Sequence, residues 1–247
     1  MNGFLNAEKP LLTVMLQNPS ADELMAVIEK AIPAGAEAFG LQTCRLKDQR
    51  PETYGRLLAA MGDRPCYATH YRMGFNEGKS DAELAEGLLT LADCGAALCD
   101  VMGDLFDRQK DELAVNPMAI EKQMHLIEEL HRRGAKVLMS SHTYCYLPAE
   151  RVVEMALEQQ RRGADIVKIV TGADTMEQQL ENLRIVHLLK QKLSVPFLFL
   201  AGGECHLLRR VAPSLGDCMY LCVYEHDEWS TKSQPLLKDV KVLRELL

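Results

Sequence analysis

The chain has 247 residues, 47% of them apolar, and 35 acidic against 28 basic side chains give a formal net charge of −7. That length buries a full hydrophobic core unaided, and basic residues scattered along an acidic chain argue against a nucleic-acid surface. No run approaches the ~18 apolar residues of a membrane span, and Met1 to Lys9 lack the basic-then-apolar order of a secretion signal, so a soluble, cytoplasmic protein is expected. The eight cysteines include no C-x-x-C pair, which favours reduced thiols over a disulfide framework.

Short apolar runs alternate with longer stretches of helical period, the pattern of β-α units. In chain order, strands are expected at 11–16, 36–41, 66–70, 97–102, 136–140, 165–170, 196–200 and 218–223. Helices are expected near 21–32, 52–61, 81–94, 117–133, 149–162, 175–192, 205–214 and 235–246. Ser20-Ala21-Asp22-Glu23 and Ser80-Asp81-Ala82-Glu83 read as capping boxes at two helix starts. Gly35, Gly134 and Gly163, each followed by Ala, mark helix ends just before strands. Eight units over this length predict a single (β/α)8 TIM barrel spanning residues 1–247, with an open doubly wound sheet as the alternative. The absence of G-x-G-x-x-G after an early strand and of a P-loop favours the barrel.

Lys168 interrupts the apolar run Ile166-Val167-Lys168-Ile169-Val170. In a parallel sheet covered on both faces a lysine has a poor outlet to water, and a desolvated ammonium loses pKa and becomes a nucleophilic amine. Such an amine attacks carbonyls, and the resulting imine acidifies the adjacent carbon. His142 closes the preceding run, Lys136 to His142, one strand away, where an imidazole could remove that acidified proton. Among the other histidines, His70 at the end of the third strand could line the same pocket, and His226 lies in the loop after the eighth. No metal spacing occurs, and no metal is expected.

These blocks resemble the type I 3-dehydroquinate dehydratases, which are (β/α)8 barrels. The resemblance covers nearly the whole chain and is carried by Val137-Leu138-Met139-Ser140-Ser141-His142, by Gly163-Ala164-Asp165-Ile166-Val167-Lys168-Ile169 and by Ser230-Thr231-Lys232-Ser233-Gln234. It implies a hydro-lyase of the shikimate pathway that needs no cofactor. Lys168 would form a Schiff base with the C3 carbonyl of 3-dehydroquinate, and His142 would take the C2 proton and help the C1 hydroxyl leave. It further implies that Glu77 orients the imidazole, that Arg209 or its neighbour Arg210 binds the substrate carboxylate, that Arg72 is a second substrate arginine, and that Ser230 and Gln234 sit in a lid. The expected partner is a small carboxylate substrate, with no nucleic acid or membrane; a homodimer is left open.

Three departures fall on the substrate side. Where the family's second strand ends in Glu-x-Arg, this chain has Gly40 and Gln42, and Arg45 reaches that place only by a register shift that reverses the strand's faces. The fourth strand keeps Asp100 but has Met102 in place of a second acid, and the segment after the seventh strand lacks the family's methionines. The alternatives are a Schiff-base lyase or aldolase for another small oxo acid, or a catalytically silent metabolite-binding barrel.

Overall fold

Strand and helix alternate along the computed structural model, which describes residues 3–247. The strands are β1 Leu11–Leu16, β2 Ala38–Gln42, β3 Cys66–Thr69, β4 Leu98–Met102, β5 Lys136–His142, β6 Ile166–Gly172, β7 Phe197–Gly202 and β8 Met219–Cys222. The helices are α1 Gly3–Asn6, α2 Ala21–Ala34, α3 Pro51–Ala60, α4 Asp81–Asp93, α5 Pro117–Arg132, α6 Ala149–Arg161, α7 Met176–Lys192, α8 Leu208–Leu215 and α9 Leu237–Leu246. All strand pairs are parallel; each strand from β1 to β6 pairs with the next, and β8 pairs with β1. At the remaining seam, between β7 and β8, Cys218 N donates to Phe197 O at 2.9 Å and Phe199 N donates to Asp217 Oδ1 at 3.0 Å. The fold is therefore a (β/α)8 barrel rather than an open sheet. No helix among the described residues is long and apolar enough to cross a membrane.

The local chemistry explains the element ends. Gly35, Gly134 and Gly163 all have positive φ (107°, 83° and 99°), the left-handed turn that ends each helix and leaves only three or four residues before its strand. Ser80 forms the full capping box with Glu83, which adds about 1 kcal/mol to the start of α4. At Ser20 only half the expected box forms. The Ser20 side chain accepts from Glu23 N, but its backbone N–H is taken by Asn18 Oδ1 at 2.8 Å, leaving nothing for a reciprocal Glu23 contact.

Strand alternation decides which side chains enter the barrel. Ile166 and Val170 pack in one interior cluster with Leu138 of β5 and Leu198 of β7, whereas Val167 and Ile169 pack outward beneath α6 and α7. Lys168, two residues from Ile166 and from Val170, must therefore point inward. By the same parity Ser140 and His142 follow Leu138 into the interior, and the β5–β6 register sets Ser140 beside Lys168 and His142 beside Val170.

Candidate active site

At the C-terminal ends of the strands, a cavity of about 170 Å³ is lined by Lys168 and His142, with Arg209, Arg45, Gln42 and Gln17 among the other walls. Lys168 is 4% exposed, so its amine is bounded by named groups rather than by solvent. Its Nζ donates to the Tyr67 and Tyr71 hydroxyls, both at 2.8 Å, and lies 3.2 Å from Asp100 Oδ2. Both tyrosines donate in turn to Asp100 Oδ2, Tyr71 at 2.5 Å, while Ser140 Oγ donates to Asp100 Oδ1 at 2.5 Å. Burial drives the Lys168 pKa below the usual lysine range, with Asp100 pulling the other way. Burial, the largest single influence, would raise the Asp100 pKa, but the Lys168 charge, the nearby His142 and the hydrogen bonds from Ser140 and Tyr67 together hold the carboxyl below its ordinary value. The backbone is fixed from the outside: Gln159 of α6 accepts from Lys168 N at 3.2 Å and donates to Lys168 O at 3.3 Å.

His142 is held by a carboxylate that the sequence reading did not select. Glu112 Oε2 accepts from His142 N at 2.7 Å and lies 3.1 Å from His142 Nδ1, an arrangement that leaves Nε2 to act as a base. Desolvation, then the Lys168 charge, push the His142 pKa below the usual histidine range, while Glu112 and Asp100 pull it up. The imidazole also meets the Tyr71 ring edge-on at 5.0 Å and stacks on Tyr144 at 5.9 Å.

Glu77, expected in that orienting role, lies exposed just after the turn Gly74–Asn76. The orienting acid comes instead from the loop between β4 and α5. That loop is over-determined. The fully buried Arg162 donates to Gly103 O at 3.1 Å and to Ala114 O at 2.7 Å, and Ser141 Oγ donates to Glu112 O at 2.7 Å. A Cβ on Gly103 would fall 2.6 Å from that same Glu112 oxygen, so only glycine permits the approach. Glu112 itself has φ +48°, a left-handed conformation that costs a non-glycine residue of order 1 kcal/mol and is sustained by these contacts.

Arg72 also departs from its expected role. Its guanidinium is spent on Asp81 (2.7 Å) and Asp104 (2.6 Å), tying the start of α4 to the loop that carries Glu112, and it lines not the Lys168 cavity itself but an adjoining one on the other side of Tyr71 and His142. Arg209 does line it; its Nε donates to Ala201 O at 2.8 Å, and burial lowers its pKa to about 10. Arg210 donates to His206 O at 2.8 Å and does not line the cavity, so of the two arginines Arg209 is the one placed beside Lys168. Gln42 and Gln234 line the cavity, whereas the Ser230 hydroxyl donates to Asp227 O at 3.0 Å and stays within its own loop. His70 does not line the pocket either. It is buried against α4, bonded to Thr43 Oγ1 at 2.6 Å, with burial lowering its pKa to about 4.

The wall formed by the ends of β1, β2 and β3 differs from the expectation in one further way. Arg45 lines the cavity without any shift in register, because the helical turn Thr43–Arg45 follows β2 and swings the side chain back over the barrel mouth, 5.7 Å from the Trp229 ring. Met15 fills the space above Gly40: a Cβ on Gly40 would fall 2.2 Å from Met15 Sδ. Gln17 Nε2 donates to Gln42 Oε1 at 3.0 Å, forming a neutral amide pair. Of the seven buried side-chain polar atoms without a hydrogen-bond partner among the described residues, three belong to this wall: Gln17 Oε1, Arg45 Nε and Thr69 Oγ1.

Comparison with known proteins gives a consistent outcome. A sequence model of the type I 3-dehydroquinase family matches residues 13–241. The 3-dehydroquinate dehydratase of Alkaliphilus oremlandii (strain OhILAs) is 32% identical over 89 residues, and that alignment covers 35% of this chain and 35% of the relative, so about a third of the curated relative's length is matched. The crystal structure of the 3-dehydroquinate dehydratase from Geobacillus kaustophilus HTA426 superposes with a TM-score of 0.82 at 16% identity, covering 98% of this chain and 93% of that one. The type I enzyme from Clostridium difficile, solved with covalently modified comenic acid, gives 0.83 at 17% identity, over 98% and 94%. At these identities the structural likeness establishes the barrel.

Proposed function

The chain belongs to the type I 3-dehydroquinase family, and from that premise we propose that it is a Schiff-base hydro-lyase converting 3-dehydroquinate to 3-dehydroshikimate. One observation carries the reading: a buried lysine amine at the floor of the cavity, with a carboxylate-anchored imidazole on the neighbouring strand. The Lys168 amine attacks the C3 carbonyl and, with loss of water, forms an iminium that draws electrons from C2. His142, kept neutral by burial and aligned by Glu112, takes the C2 proton and returns it to the C1 hydroxyl, which leaves as water. Hydrolysis of the imine then frees Lys168. Arg209 supplies the fork that suits a planar carboxylate.

Turnover is tested by the ultraviolet absorbance of the conjugated enone product. Wild-type protein is expected to generate it from 3-dehydroquinate and Lys168→Ala is not; equal rates for the two would remove the reading. A second reading, the same imine chemistry on a different small oxo acid, is favoured by the uncharged wall of Met15, Gly40, Gln17 and Gln42. A kcat/KM at least about 100-fold higher for another oxo acid than for 3-dehydroquinate, equivalent to about 2.7 kcal/mol of differential transition-state binding, would establish it.

A further inference from the structure

We propose that Tyr71 is a further catalytic residue, relaying protons between the Lys168 nitrogen and Asp100 while the imine forms and is hydrolysed. The inference rests on the imine chemistry proposed above and extends it to the step that precedes proton abstraction. Two tyrosines touch the amine at the same distance, 2.8 Å, yet they are not equivalent. Tyr67 is 0% exposed and lies beneath the amine, whereas Tyr71 lines the cavity and meets the His142 ring. Only the Tyr71 hydroxyl can touch both the lysine nitrogen and the oxygen of a carbonyl that has come within bonding distance of it.

The hydrogen-bond directions define a route. Lys168 Nζ donates to Tyr71 Oη, and Tyr71 Oη donates to Asp100 Oδ2 at 2.5 Å. In the resting ion pair the ammonium has no lone pair with which to attack. Transfer of one proton along this line, lysine to tyrosine oxygen as the tyrosine proton passes to Asp100, leaves a neutral amine, a neutral phenol and a protonated Asp100. The N–C bond then forms as the carbonyl pair moves to oxygen. A second exchange through Tyr71 moves a proton from the cationic nitrogen to that oxygen, giving a neutral carbinolamine. As the nitrogen lone pair forms the C=N bond and the C–O bond breaks, the proton held on Asp100 returns through Tyr71 to the departing hydroxyl, which leaves as water. Of the three ammonium protons, two end in that water and one remains on the iminium nitrogen, and Asp100 is again a carboxylate. Ser140 Oγ holds Asp100 through its other oxygen, Oδ1, at 2.5 Å, so Oδ2 stays directed at the tyrosines throughout.

The test separates imine formation from product formation. Full-length protein is mixed rapidly with 3-dehydroquinate and quenched with borohydride at a series of times, and the reduced adduct is counted by intact mass. Tyr71→Phe is expected to slow adduct appearance by about 100-fold, with partial recovery as pH rises and solvent hydroxide takes over removal of the ammonium proton. Tyr67→Phe, which removes a hydrogen bond to the same amine away from the cavity, is expected to slow it by less than about tenfold. Equal effects of the two substitutions, or a Tyr71→Phe deficit of the same size at every pH, would overturn the relay and leave Tyr71 a packing residue. No adduct on wild-type protein would overturn both the relay and the imine reading, whereas wild-type adduct matched by Tyr71→Phe overturns the relay alone. If Tyr71→Phe does not fold, Asp100→Asn carries the same decision, since an amide cannot store the proton: a slow, pH-recoverable adduct supports the relay and a wild-type rate refutes it.

Discussion

The two sides of the barrel mouth are built on opposite principles. On the β4 to β6 side the groups around the Lys168 amine are tied to protein partners: Asp100 receives Ser140 and two tyrosines, His142 is anchored by Glu112, and the Lys168 backbone is held by Gln159. On the β1 to β3 side, Gln17 Oε1, Arg45 Nε and Thr69 Oγ1 are buried without a protein partner. A buried polar group left unpaired costs about 1–3 kcal/mol, so the second wall is complete only when a ligand supplies donors and acceptors. The side that carries Lys168 and His142 is preorganised by its own hydrogen bonds, whereas the wall of Gln17, Gln42 and Arg45 leaves polar atoms unsatisfied, the arrangement expected if the first moves protons and the second binds substrate.

Substitutions can break that contrast, in order of expected effect. His142→Ala should lower kcat by about 10²–10⁴-fold, the range of a lost general base, while still allowing an imine to be trapped on Lys168; loss of trapping as well would mean the imidazole also serves the first step. Glu112→Gln should lower kcat by about tenfold or more and move the acidic limb of the pH profile downward, because the acid that raises the His142 pKa is gone. Glu77→Gln, on an exposed loop residue, should leave kcat and KM near wild type, and an effect as large as that of Glu112→Gln would restore the sequence-based assignment.

On the proposed reading His142 must be unprotonated to act as the base, and burial with the Lys168 charge holds its pKa below the ordinary histidine value. Activity should therefore persist below the pH at which a free imidazole protonates, and be lost only as pH falls through the depressed value. A kcat/KM profile with its acidic limb above pH ~6.5, the ordinary histidine pKa, would contradict this.

On the gripping wall the effects should be smaller and confined to binding. Arg45→Ala should raise KM, by up to about tenfold for one hydrogen bond, with kcat little changed. A loss in kcat instead would place Arg45 with the reacting groups. Gly40→Glu alone should destabilise the fold by about 1–3 kcal/mol, because its Cβ lands on the Met15 side chain. Adding Met15→Ala should recover part of that loss in denaturant titrations; no recovery would show that Met15 is not what excludes a side chain there.

Much of the fold was legible because the alternation of apolar runs and the three glycine junctions are local signals. The observed β1 coincides with the expected strand, and β2 begins two residues late: Ala36 N still bonds back to Ala31 O of α2, and Glu37 N reaches Leu12 O of β1 just ahead of the regular strand. Lys168 and His142 were legible for a related reason: a cation and an imidazole stand out in strands otherwise made of buried apolar residues. Glu112 was not, since it comes from an irregular loop 30 positions before His142, held by Arg162 and Gly103 through contacts that no spacing rule encodes. Tyr67 and Tyr71 read as ordinary aromatic core until the hydroxyls are placed. Arg72 misled because an arginine beside a strand end can as easily anchor a loop as meet a substrate, and two nearby aspartates decided the matter. Arg45 was set aside on register grounds that hold only inside a strand, whereas the chain turns helical at Thr43.

Intact-mass and peptide-mass analysis of wild-type protein reduced with borohydride in saturating 3-dehydroquinate decides whether Lys168 is the nucleophile. One reduced substrate adduct per chain is expected, located on Lys168 and abolished by Lys168→Ala. An unmodified Lys168 in folded protein, or an adduct on another lysine, would contradict it.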